Sequence, residues 1–196
     1  QVPVNGTSTL TFTIANPNAA VALTGIGFAD AFPAGLEIAA PVTSTNTCGG
    51  SFSPALAPAQ TGLGYTGGTL AASGSCTISV AVKPTTAGVK VNTTGLITST
   101  EGGTGTTSNS ATLTAVAPPG LSKGFLLTTT VVGQTTGLQF SITNPNATVP
   151  LTGVSFTDVL PAGLAISNGT TSACNGTLTT TAATRTVSLT GATLVA

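Results

Sequence analysis

Asn16-Pro17-Asn18, Leu23-Thr24-Gly25 and Phe28-Ala29-Asp30-Ala31-Phe32-Pro33-Ala34-Gly35-Leu36 return further along the chain. They recur as Asn144-Pro145-Asn146, Leu151-Thr152-Gly153 and Phe156-Thr157-Asp158-Val159-Leu160-Pro161-Ala162-Gly163-Leu164, at a constant spacing of 128 residues. A period of that length is a whole domain and not the roughly 20–50-residue unit of a solenoid. Whatever fold the first copy takes, the second takes too. Copies of one domain in series build length more readily than they build an active site. The register continues, with Cys48-Gly49-Gly50 matching Cys174-Asn175-Gly176 and Thr66-Gly67-Gly68-Thr69-Leu70 matching Thr190-Gly191-Ala192-Thr193-Leu194. The spacing there drifts to 126 and then 124 residues, as loop-length changes allow.

The two copies are not equally long. Copy one runs on through Cys76 to about Pro118, whereas copy two reaches Ala196 before any counterpart of Cys76. Leu121-Ser122-Lys123-Gly124-Phe125 opens copy two, and copy one has nothing in that place. The expected organisation is a β-sandwich over residues 1–117 lacking its first strand and a stiff Pro-containing linker at 118–120. A second sandwich over 121–196 has C-terminal strands that are missing or supplied by a partner. The chain reads as a stretch of a longer array, or as a unit that partners complete.

Alternation fixes the class as all-β. Leu10, Phe12 and Ile14 fall on one face of a strand, with Thr9, Thr11 and Thr13 on the other. Cys76, Ile78, Val80 and Val82 share an inward phase in the strand expected over 75–82, and Leu10, Phe12, Ile14, Phe28, Ile78 and Val80 are expected to be buried. Further strands are expected over 23–28, 36–39, 66–70, 89–100 and 110–117, with Glu101-Gly102-Gly103 as a turn. Threonine, at 42 of 196 residues, favours strands, and glycine and proline punctuate them. About seven strands in this length is the scale of an Ig-like sandwich.

Charged residues are 4% of the chain, with four basic and four acidic, against about 25% in an average globular protein. That balance excludes a nucleic-acid footprint and electrostatic docking on anionic lipid. No apolar run approaches the ~18 residues of a spanning helix. A surface with so few charges lacks the repulsion that keeps copies apart, so it suits self-packing.

The strand Ser8-Thr9-Leu10-Thr11-Phe12-Thr13-Ile14, the Asn16-Pro17-Asn18 turn and the Phe28-to-Leu36 stretch lead a recognisable pattern. Cys48-Gly49-Gly50, Gly74-Ser75-Cys76 and Leu121-Ser122-Lys123-Gly124-Phe125 complete it. In these residues the chain resembles the tandem Ig-like repeats of large bacterial surface proteins, a conserved-repeat class of unknown function. Phe32 stands where leucine is usual before Pro-Ala-Gly, and Gly124 where a small polar residue is common. The resemblance implies an exported, extracellular stalk or filament component and no enzyme activity.

Candidate chemistry is sparse. Cys48 and Cys76, 28 residues apart, fit a disulfide of an exported β domain; two free buried thiols are the alternative. Cys174 is expected to pair outside this chain. With three cysteines and no histidine, neither a metal site nor a cofactor is expected. Lys123, Asp158, Asp30 and Asn92 supply the residue types of an intramolecular isopeptide bond, in which a strand lysine joins an asparagine amide beside a buried acid. In this sequence neither copy holds the full trio at the matching positions. The plainer reading makes Lys123 an edge-blunting charge and the aspartates turn formers. Asn5, Asn92, Asn146, Asn168 and Asn175 each open an N-glycan sequon, most of them by chance in so Thr-rich a chain. The leading expectation is a structural repeat of an extracellular bacterial filament, sheath or adhesin stalk whose partners are copies of itself. The alternative is a glycan- or surface-binding adhesin module acting through loops at 43–65.

Overall fold

Strict alternation of apolar and threonine side chains builds the first half of the molecule. The computed structural model describes residues 1–167 and 174–196, which form two compact units, Gln1–Val116 and Ala117–Ala196. Among the described residues there are strands and no helix.

The first unit contains β1 (Val2–Pro3), β2 (Ser8–Ala15), β3 (Leu23–Ala31), β4 (Leu36–Ile38), β5 (Ser44–Asn46), β6 (Ser51–Phe52), β7 (Gly62–Leu70), β8 (Ser75–Pro84), β9 (Gly88–Asn92), β10 (Thr98–Ser99), β11 (Gly103–Thr104) and β12 (Ala111–Val116). One sheet centres on β8, with β2 along one edge and β4 and β5 along the other. A second runs β11-β10-β3-β7-β6, and a third β1-β12-β9. The first two sheets share one core. Phe12, Ile14, Ile78, Val80 and Val82 come from the β8 sheet, and Ile26, Leu63, Tyr65 and Leu70 from the β7 sheet.

Asn16 closes the turn after β2. Its Nδ2 donates to the carbonyls of Val21 and Ala71 at 2.7 and 3.0 Å, while its Oδ1 accepts from the Asn18 amide. Gly67, at φ 73°, sits in the left-handed region that other residues resist. The kink resets the alternation, so Tyr65 and Leu70 both point inward. Tyr65 is fully buried; its hydroxyl accepts from the Gly50 amide at 2.8 Å and donates to Asn46 Oδ1 at 3.2 Å. Cys48 and Cys76 are bonded, with Cα atoms 5.2 Å apart, so the free-thiol alternative does not hold.

The second unit contains β13 (Gly120–Phe125), β14 (Leu138–Thr143), β15 (Leu151–Val159), β16 (Thr177–Thr181) and β17 (Thr186–Leu194). β13 pairs with β14, and β15-β17-β16 form a three-stranded sheet. The repeat carries the same local devices. Asn144 Nδ2 donates to the carbonyls of Val149 and Val195, each at 2.9 Å, and Gly191 takes φ 68°. Phe140 stacks on Phe156 with ring centroids 4.7 Å apart, as Phe12 does on Phe28 at 5.1 Å.

Four expectations need correction. The strand expected over 89–100 is broken: β9 ends at Asn92 and β10 is a separate piece, because Gly95 turns to donate its amide to the Ala29 carbonyl. The 43–65 stretch, expected as loops, holds two short strands, β5 and β6, and the start of β7. Gly120 begins β13 instead of belonging to the linker. Leu10 and Phe28 are half-buried and not core, because both face a groove beside β2.

Two substitutions measure this framework. Removing the disulfide with a Cys48→Ala/Cys76→Ala pair lowers urea-derived stability by about 3–4 kcal/mol on the chain-entropy account of a 28-residue loop. Tyr65→Phe strands the partly buried Gly50 amide and lowers stability by about 1–2 kcal/mol in the same assay. No change in either midpoint would contradict these assignments.

Candidate functional site

The most unusual chemistry in the first unit lies between β3 and β9. Asp30 and Asn92 are 2% and 5% exposed, and Asn92 Nδ2 donates to Asp30 Oδ2 at 2.7 Å across 62 residues of sequence. The other oxygen of each side chain, Asp30 Oδ1 and Asn92 Oδ1, is buried without a hydrogen-bond partner. Burial pushes the Asp30 carboxyl above its ordinary value of 3.8, and the hydrogen bond from Asn92 pulls it back by less. A carboxyl that retains its proton can donate as well as accept.

β9 delivers Asn92 by an inverted pattern. Lys90 and Asn92 are buried, while Val89 and Val91 are about half exposed. Lys90 Nζ is engaged by Thr86 Oγ1 at 2.7 Å. Among the described residues no lysine makes an ion pair with Asp30.

In the second unit the counterpart acid does meet a lysine. Lys123 Nζ donates to Asp158 Oδ1 at 2.7 Å. The other carboxylate oxygen, Asp158 Oδ2, is buried without a partner. Lys123 lies opposite Phe140 in the β13–β14 ladder. Directly opposed residues of an antiparallel pair share a face, so Lys123 projects to the side of Phe140 and Asp158. The four isopeptide candidates thus fall into two half-sets: Asp30 with Asn92, and Lys123 with Asp158.

Beside β2 runs an open groove of about 340 Å³ lined by Leu10, Phe12, Ile14, Phe28, Asn92 and Ile97 among others. A smaller hollow of about 100 Å³ continues it past Ser8 to Lys90. β2 pairs with β8 on one side, and no described strand pairs with its other edge. In the second unit the counterpart strand β14 is paired with β13.

Other expected sites resolve simply. Cys174 is a free, exposed thiol; its carbonyl accepts from the Thr193 amide at 3.0 Å, as that of Cys48 does from Thr69 at 2.8 Å. Asn92 and Asn146 are buried, which removes them as glycan acceptors, whereas Asn5 and Asn175 are exposed. Asn168 lies outside the described residues. Tyr65, the sole tyrosine of the 43–65 loop region, lies in the core and presents no stacking face to a sugar. Lys90 and the reciprocal Thr94–Ser108 hydrogen bonds escaped the sequence reading; the alternation of Lys90 and Asn92 with two valines was their one signal. Among the described residues no group of three or more His, Cys, Asp or Glu is placed to hold a metal ion, and no helix is long and apolar enough to cross a membrane.

These features define an all-β, disulfide-bonded protein built on a duplicated unit. The chain belongs to the family described as Domain of unknown function (DUF7933), whose pattern matches residues 1–115 and again 119–196. No curated protein matches it.

The raised Asp30 value sets a signed pH effect. The folded state holds this proton more tightly than the unfolded chain, so the contribution is complete below about pH 3.8 and is lost as pH rises through the folded value. Asp30→Asn is therefore more stable than the parent at pH 7, and the gap closes toward pH 3.8. Melting curves across that range check it; a gap that widens on acidification would refute it.

Proposed function

We propose that this chain is a structural repeat of an extracellular bacterial filament, sheath or adhesin stalk. The observation that supports this most is the duplication. One sheet-and-core design, with its asparagine turn lock, glycine kink and aromatic stack, occurs twice in series. A repeated unit is selected for what it does in number, which is to extend a chain. Ladders of backbone hydrogen bonds resist extension. A disulfide that ties the segment after β5 to the central strand β8 fits an oxidising compartment and resists proteolysis. A surface with 4% charged residues permits close packing of copies. The residues that carry the reading are the bonded Cys48 and Cys76 and the twin locks Asn16 and Asn144.

Electron microscopy of the native material tests it. Ordered polymers are the expected result. A monodisperse population of 18.8 kDa monomers at high concentration would end the proposal.

A further inference from the structure

We propose that the free edge of β2 is the seat of a lysine-bearing β-strand of the Gly120–Phe125 type, and that the docked lysine forms an amide bond with Asn92. This goes beyond the filament reading and does not depend on it. The occupant is read from the second unit. There the edge of β14 is covered by β13, with Lys123 opposite Phe140 and its Nζ on Asp158. Phe12 and Asp30 stand 128 residues before Phe140 and Asp158. A strand laid on β2 in the same register places its lysine opposite Phe12, facing Asp30. The space is present: the groove along β2 reaches Asn92 and leaves the apolar side chains of Leu10 and Phe28 half covered. A free sheet edge over apolar surface takes up a strand by backbone pairing, with side-chain pockets setting the choice of strand.

In unit one the acid that would meet this lysine already holds the carboxamide, at 2.7 Å. The buried oxygens Asp30 Oδ1 and Asn92 Oδ1 have no partner among the described residues, and an unpaired buried polar atom costs about 1–3 kcal/mol. An arriving amine supplies the missing donor. Near the buried Asp30, low polarity favours the neutral amine. The nitrogen attacks Asn92 Cγ, forming a Nζ–Cγ bond. Asp30 relays one proton from the amine to Nδ2, the Cγ–Nδ2 bond breaks, and ammonia leaves. Asp30 ends as it began, and no oxidant or other reactant is consumed. Lys90 is not the nucleophile, since its Nζ is held by Thr86.

The test mixes the full chain with a synthetic peptide of residues 118–127 and follows intact mass. The expected product weighs the chain plus the peptide less one ammonia, and fragmentation places the junction at Asn92. A Lys123→Arg peptide, which keeps the charge and leaves the protein untouched, docks without coupling. Asp30→Asn slows coupling by about 100-fold or more, the scale of a lost proton relay. A chain-to-chain conjugate joining Lys123 to Asn92 supports the proposal equally. No adduct with the lysine peptide, a junction elsewhere, or equal coupling by the arginine peptide would overturn it.

Discussion

A β-strand has two hydrogen-bonding edges, and β2 uses one of them. Its pairing with β8, from Ser8 opposite Val82 to Ala15 opposite Ser75, aligns Phe12 with Ile78 and sets Ile14 opposite the disulfide cysteine Cys76. That ladder fixes the phase of the whole β8 sheet, because a slip by one residue would turn every inward side chain to solvent. The other edge carries the same alternation, and among the described residues no strand pairs with it. Leu10 and Phe28 are accordingly half-buried although they have the pattern of core residues. The groove therefore lies along the edge of β2 that no described strand pairs.

The buried polar pair follows from the same geometry. Asp30 is carried inward on β3 and Asn92 on β9, strands of different sheets, and their hydrogen bond spans the space between those sheets. Burying a carboxyl and an amide is unfavourable unless each is satisfied, and here one oxygen on each is left over. Apolar residues of similar size would pack there at lower cost. In the second unit Lys123 meets the counterpart acid directly. Taken together, the two units present the parts of one three-residue arrangement, each unit holding two of them.

The sequence made the strands of strict alternation legible. In β2 and β8 the residue types and the burial agree almost position by position, and the asparagine turns and the Cys48–Cys76 pair were readable from type and spacing. The inward-facing polar strand was not. A rule that places apolar residues inside would bury Val89 and Val91; β9 instead buries Lys90 and Asn92, because each has a polar partner from another part of the chain. Such partners, Thr86 for Lys90 and Asp30 for Asn92, are tertiary facts. The break after Asn92 was equally hidden, since Gly95 leaves the strand to reach a carbonyl on β3. The duplication did expose one non-local relation: by placing Lys123 and Asp158 in one copy, it named the residue type that would face Asp30 in the other.

Backbone amide exchange along β2 tests the central claim most directly. The amides of Thr9 to Ile14 that point away from β8 exchange rapidly in the chain alone and become protected when the 118–127 peptide is added. Those that point toward β8 stay slow throughout. If every β2 amide were already protected in the chain alone, or if the peptide left the free-edge amides unprotected, the account of an open strand seat would be wrong.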